Sequence, residues 1–284
     1  MSDLKAGVLL NSGLCNQLFM VFALLSYCID NARDYIFYYD PTKMRCYWNT
    51  FFYKLKDKAS IGTPDAPEAR DARVYEEPHF HYSKIPIIDG NITLKGYFQS
   101  AKYFEHNAQK IKDILGIDEQ RLQVASEFKH LFVKKTIALH FRIGDYIGLQ
   151  GYHCIKRPQY YIGAFAHMIR ELTNKGEKLD DYNILYFCQE QDNPIVDQYL
   201  QILHNNFVGL QFVKVPDNIA DWKQLLLMSL CDHFVIANST FSWFGAYLQP
   251  NRGIVCYPKI WFGPLYSHDT NDLCPTGWNA IDDN

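Results

Sequence analysis

The chain has 284 residues, enough for two lobes, and 48% apolar against 21% charged residues supply material for globular cores. A net charge of −3, with acidic and basic residues mixed along the chain, gives no electrostatic ground for a nucleic-acid or anionic-surface partner. The eight cysteines include no CxxC pair, which leaves zinc-ribbon and redox-dithiol chemistry unsupported.

Ala6–Leu10 predicts a first strand, Asn11–Cys15 a polar Gly-bearing turn, and Asn16 to about Asn31 a long, nearly uncharged helix. Within that helix the apolar run Leu18–Ile29 is too short for a membrane span and reads as a buried segment. No signal peptide is visible, so reduced thiols in a cytoplasmic setting are expected. Tyr35–Tyr39 predicts the next strand, closed by Asp40-Pro41. From Lys43 to Pro86 the pattern is irregular, and GTPDAPEARDAR predicts an exposed loop. As the stretch most free to vary, this region is the candidate for acceptor contacts. His79 and His81 alternate as on a strand edge, with no third ligand spaced for a metal.

Asn91–Leu94 predicts a strand running into Gly96–Ser100, which leaves Gln99 and Ser100 at its end. A helix follows from about Ala101 to Leu115, stopped by Gly116, and residues 117–135 form a polar crossover. Beyond it, Ile137–Leu139, Tyr182–Cys188, Phe207–Val213, Phe234–Ala237 and Gly253–Tyr257 predict strands. Helices from Gln159 to Asn174, Pro194 to His204 and Asp221 to Cys231 separate them, and the tail after Trp261 predicts loop. This alternation predicts an α/β fold with parallel sheets.

Two segments carry chemistry. In TIALHFRIGDY (Thr136–Tyr146) a buried strand ends in His140, Arg142, Gly144 and Asp145, and α/β sheets place ligands at such strand ends. Arg142 offers a planar fork for phosphate oxygens, and Gly144 permits a turn or a close ligand approach. A purely structural Arg142–Asp145 ion pair accounts for these residues equally well. In Asn238–Ser242, NSTFS, a strand turns into a helix. The free N–H groups and the Ser239, Thr240 and Ser242 hydroxyls would together cradle an anion there, unless Ser239 or Thr240 only caps the helix.

Four segments in order resemble the α1,2-fucosyltransferase family. NSGLCNQL (Asn11–Leu18) resembles its GGLGNQ-type loop, and GYFQSAKYF (Gly96–Phe104) its GYFQS-type segment. HFRIGDY resembles its HxRRxDY-type motif, and NSTFSWFGA (Asn238–Ala246) its NSTFSWWGA segment. Ile143 replaces the motif's second Arg, as in the HxRIG-type run of protein O-fucosyltransferases, and Ser12 and Cys15 replace usual glycines.

The resemblance implies two Rossmann-like lobes of GT-B type with the active site in the cleft between them. Residues 1–130 would form the acceptor side and 131–284 the donor side. It implies that Gly13, Asn16 and Gln17 face donor or acceptor, although Asn16 reads as well as a helix cap. Arg142 with Asn238, Ser239, Thr240 and Phe241 would hold a nucleotide diphosphate without metal or other cofactor. Gln224 stands where relatives carry the acidic residue that reads guanine, and Asp221 lies one helical turn earlier. Asp145 is the first candidate for a base that takes the acceptor proton in an inverting transfer, and His153 a weaker one. Gln150 occupies the position where another fucosyltransferase group has a Glu, and His140 would buttress the site or contact the nucleotide. The expected reaction moves L-fucose from GDP-fucose to a galactose-type hydroxyl in α1,2 linkage, with a nucleotide sugar and a glycan as partners and no membrane-spanning segment. Another deoxysugar nucleotide, such as a rhamnose donor, and a non-catalytic nucleotide-sugar-binding protein are the alternatives. An oxidoreductase lacks its dinucleotide fingerprint here.

Overall fold

The computed structural model describes residues 4–62 and 72–283, so most of the GTPDAPEARDAR run lies outside the described residues. The chain divides into two compact α/β units, Met1–Gln120 with His268–Pro275, and Arg121–Ser267 with Thr276–Asn284. Each is Rossmann-like. The changeover falls within α3 (Ile117–Glu127) rather than at the expected 130/131. A helix occupies what the sequence predicts as crossover: two of its four buried positions, Ile117 and Val124, are apolar, and the other two, Gln120 and Arg121, are polar. Arg121 donates to the Ser229 carbonyl at 3.2 Å, and Lys223 pairs with Glu127 at 2.6 Å. These partners tie the helix to the second unit.

In the first unit β1 (Lys5–Leu9), β2 (Asp34–Tyr39), β3 (Ala59–Ile61), β4 (Arg73–Glu76) and β5 (Ile92–Lys95) form an all-parallel sheet in the order β3-β2-β1-β5-β4. Between β1 and β2 runs α1 (Leu14–Asp30), buried at fourteen positions and without a charged residue before Asp30. It is long and apolar enough to cross a membrane by length and composition, yet 78% of that window is buried within the protein. Two 3-10 turns, Ala101–Tyr103 and Glu105–Asn107, precede α2 (Ala108–Leu115), where the sequence predicts one continuous helix.

The second unit carries β6 (Lys135–His140), α4 (Pro158–Asn174), β7 (Tyr182–Phe187), α5 (Asn193–Asn206), β8 (Phe212–Lys214), α6 (Asp221–Ser229), β9 (His233–Val235), α7 (Thr240–Tyr247), β10 (Val255–Pro258) and β11 (Asn279–Ile281). Its parallel sheet has the order β11-β10-β9-β6-β7-β8. The chain leaves β6 toward β7 and β8, then returns to place β9 on the other side, where Leu139 is in register with Tyr186 and Val235. The order therefore reverses at β6, and a crevice opens beyond the carboxyl ends of strands at such a switch point. In the first unit the same reversal falls between β1 and β5. Each of the four motif segments follows a strand at one of these two reversals.

Candidate active site

Alternation along the strand end decides which way each residue of the HFRIGDY segment faces. Phe141 continues the ladder, donating its N–H to the Phe187 carbonyl at 2.9 Å, and buries its ring against Tyr161 at 4.7 Å between centroids. Ile143 is also in this core. The residue that departs from the family motif is thus a packing residue, and its apolar character fits the place it occupies. Arg142, between the two, keeps a quarter of its side chain accessible and reaches Asp145 Oδ2 with Nη2 at 2.6 Å. Its guanidinium lies 5.3 Å from the Tyr146 ring centroid, and its Nε is buried without a hydrogen-bond partner.

A Cβ at Gly144 would press on the side-chain ends of Gln189 (Oε1) and Gln191 (Nε2, 2.8 Å), which would have to shift. The Gly144 N–H donates to the buried Asp192 Oδ2 at 3.0 Å.

His140 is buried with its ring 5.6 Å from Phe241, and its Nδ1 has no partner. Burial foremost, then the nearby Arg142 charge, pushes its pKa down to about 3. The imidazole is therefore neutral at physiological pH, which suits a buttress and excludes a cationic contact to phosphate. Because the folded pKa lies below the unfolded value, this stability is fully present above about pH 6.5 and is lost as pH falls toward 3. In His140→Gln the fall of unfolding free energy between pH 6 and pH 4 should be shallower than in the parent chain. Urea melts at several pH values measure it, and an unchanged slope would show that His140 does not titrate this way.

In the second motif Ser239 is the N-cap of α7, and its Oγ accepts from the Phe241 N–H at 3.3 Å. The capping role is thus observed, and the backbone at the start of α7 remains a dipole end suited to an anion. Ser242 does not join the cradle. Fully buried, it turns its hydroxyl back to the Ala237 carbonyl at 3.2 Å, as a serine inside a helix commonly does. Asn238 is mainly an organiser: Nδ2 donates to the Cys154 and Trp261 carbonyls, both at 2.9 Å, and only Oδ1 is buried without a partner. Thr240 and Phe241 are half-buried.

Tyr146 joins the two motifs. Its hydroxyl donates to the Asn238 carbonyl at 3.0 Å across 92 residues of chain, and burial pushes its pKa up to about 12. Arg142 Nε, His140 Nδ1 and Asn238 Oδ1 are thus three buried, unpartnered polar atoms on the two strand ends that this bond joins. Such atoms are rare in folded proteins and mark places prepared for another polar group. Sequence reading did not single out Tyr146, because nothing local to it signals the distant carbonyl.

On α6, Gln224 donates Nε2 to the Ile219 carbonyl at 2.8 Å, which leaves its Oε1 as an acceptor. Asp221 Oδ1 accepts the Trp222 N–H at 2.8 Å. His153 stacks on Tyr146 at 4.8 Å, and burial lowers its pKa.

The first unit brings its own two motifs together. Gln99 Nε2 donates to Asn16 Oδ1 at 3.1 Å, and Ser12 Oγ lies 3.1 Å from the Tyr97 hydroxyl. Asn16 does not cap α1, since Gly13 is the N-cap residue and no side chain caps the helix. Gly13 has an ordinary φ of −77°, and a Cβ there would meet nothing within 4 Å; the positive φ, 62°, falls on Ser12. Gln17 is fully buried and donates to the Ser12 and Arg45 carbonyls, and its Oε1 is buried without a partner. Ser100 is buried as well, with its hydroxyl on the Asp272 carbonyl at 2.7 Å. Glu77, absent from the expectations, accepts the Tyr97 and Phe98 N–H groups at 2.9 Å each and so holds the GYFQS turn. His79 and His81 stack at 4.8 Å, and among the described residues no group of three or more His, Cys, Asp or Glu is placed to hold a metal.

Residues 211–282 match the model of glycosyl transferase family 11, a span that includes α6 and the NSTFS turn. Two Escherichia coli proteins are similar. An alpha-1,2-colitosyltransferase is 24% identical over 69% of this chain and 64% of its own length. The O-antigen biosynthesis glycosyltransferase WbnK is 27% identical over 68% of this chain and 61% of its own. The chain thus spans somewhat under two thirds of these relatives. Among solved structures, a variant of Arabidopsis thaliana FUT1 in complex with GDP superimposes with a TM-score of 0.50 at 12% identity, over 88% of this chain and 69% of that one. This last likeness is one of fold.

Proposed function

We propose that this chain is a glycosyltransferase of the family 11 type that moves a deoxyhexose, L-fucose from GDP-fucose in the first instance, to a galactose-type hydroxyl with inversion. The observation that carries the reading is the Tyr146–Asn238 bond, which sets the Arg142 loop beside the N-terminus of α7. A guanidinium with a buried unpartnered Nε and a helix start together suit a leaving diphosphate, whose charge grows as the sugar carbon becomes cationic. The colitosyltransferase's name gives the 1,2 linkage and a sugar other than fucose. That supports the linkage and leaves room for another deoxysugar nucleotide as donor.

Asp145, bonded to Arg142 and largely accessible, would take the acceptor proton. Its neighbour on the loop, His153, is the second candidate. The proposal includes no metal, because arginine and backbone dipoles supply the positive field, so nucleotide binding should persist in excess EDTA.

The donor is tested by thermal shift with GDP, UDP, dTDP and ADP. GDP should stabilise the chain most. Gln224 Oε1 can accept from the guanine amino group, and the Asp221 carboxylate does so more strongly if it has taken over the role. A hydrogen bond to a neutral group contributes about 1 kcal/mol and one to a carboxylate about twice that. Asp221→Asn should therefore weaken GDP binding more than Gln224→Ala if the carboxylate reads the base, and less if Gln224 does. Equal binding of UDP and GDP, unaffected by either substitution, would remove the guanine assignment and favour a different deoxysugar nucleotide.

A further inference from the structure

From Arg142 an unbroken run of rings leads to the surface of the second unit. Tyr146 lies under the guanidinium, and His153 stacks on Tyr146 at 4.8 Å and 20°. Tyr266 meets His153 edge-on at 5.7 Å, and Tyr152 packs against Tyr266 at 5.1 Å and 63°. The two outer rings are 44% and 39% exposed, respectively Tyr152 and Tyr266. Packing edge to face fixes their planes while leaving a face of each ring accessible.

The backbone beneath them is also fixed. Gly263 donates to the Tyr152 carbonyl at 2.8 Å and Leu265 to the Gly151 carbonyl at 2.7 Å. The two loops approach so closely that a Cβ on Gly263 would meet the Gly151 carbonyl oxygen at 2.5 Å. Asn238, the first residue of the NSTFS turn, clamps the same two loops through the Cys154 and Trp261 carbonyls. One side chain thus links the phosphate-side turn to the ring-bearing loops.

We infer that Tyr152 and Tyr266 form the platform on which the acceptor's pyranose ring stacks, beside Asp145. The inference rests on the transferase reading above and relocates acceptor recognition from the irregular 43–86 region to this unit. The reacting hydroxyl must come within hydrogen-bond reach of the base. Asp145 precedes Tyr146 directly, and its charge is felt at His153. A pyranose carries an apolar face of C–H groups and a rim of hydroxyls. It matches rigid exposed rings edged by a carboxylate and an imidazole better than a purely apolar partner would.

Saturation-transfer NMR tests this with methyl galactosides, glucosides, mannosides and N-acetylgalactosaminides on the intact chain. At least one should receive saturation at its ring C–H protons. The double variant Tyr152→Ala/Tyr266→Ala should weaken it by about tenfold or more, with Tyr152→Phe/Tyr266→Phe retaining it. Silence from every pyranoside, or a signal that survives in the Ala variant, overturns the platform. GDP-dependent thermal stabilisation is followed in parallel and should persist in both variants. Its loss only in the Ala variant would move the rings to the donor and overturn the acceptor assignment. Its absence from the parent chain would instead undo the donor reading while leaving the sugar signal interpretable.

Discussion

Replacing Arg142 with Ala should remove nearly all transfer while leaving the fold intact. The side chain keeps a quarter of its surface accessible and lies outside the apolar core cluster, so the fold should survive its loss. On the proposed reading its charge would meet the negative charge that gathers on the leaving diphosphate. Removal of such a preorganised donor in a closed site costs about 2–4 kcal/mol of transition-state stabilisation, a rate loss of roughly tens to several hundred fold. Lys would keep the charge but not the fork of donors, so Arg142→Lys should recover only a fraction of the rate. Steady-state turnover with GDP-fucose and a pyranoside acceptor, alongside a thermal melt, measures both. A folded Arg142→Ala chain with near-normal turnover would remove Arg142 from the leaving-group site.

Lys156 should have the largest effect on stability of any single charged residue in the second unit. Its side chain is 1% exposed, and Nζ bonds Asp283 at 2.6 Å, the Ile260 carbonyl, and Cys154 Sγ at 3.1 Å. It thereby ties the loop after Tyr152 to the loop before Phe262 and to the chain segment after β11. Removing one partner of a buried pair leaves the other charge desolvated, a loss of about 3–5 kcal/mol. Lys156→Ala should lower the urea midpoint accordingly, and Lys156→Met/Asp283→Asn, which neutralises both partners, should recover part of it. A midpoint shift equivalent to less than about 1 kcal/mol for the single variant would mean that solvent already screens the pair.

The local signals that hold are those that depend on a few neighbouring residues. Short apolar runs mark β1, β2, β5, β6, β7, β9 and β10, and Pro158 marks the start of α4. The strand-end positions of all four motifs follow from the same runs. Three errors share one origin. The helix α3 is hard to read because two of its four inward positions, Gln120 and Arg121, are polar and find partners elsewhere in the fold. The edge strand β11 was hidden because three residues, NAI, in a tail rich in Gly, Pro and Asp carry no periodicity until Asn279 lies beside Cys256. Ser242 was misread because a hydroxyl near a helix start can face the ligand or its own preceding turn, and only packing selects between them.

By itself, then, the sequence determined the alternation of strands and helices, the α/β class, and which side chains stand at the ends of β6 and β9. Strand sterics and a period of two act over a handful of residues, and every one of those residues is adjacent in the chain. Tertiary structure alone decided that Ile143 packs inward, that Gly144 lies against the ends of Gln189 and Gln191, and that Tyr146 meets Asn238. It also decided that Tyr152 and Tyr266 share one surface. Each of these depends on groups about 45 to 115 positions apart, and contacts at that separation are chosen by the sheet order and by the burial of whole elements, which no local pattern encodes.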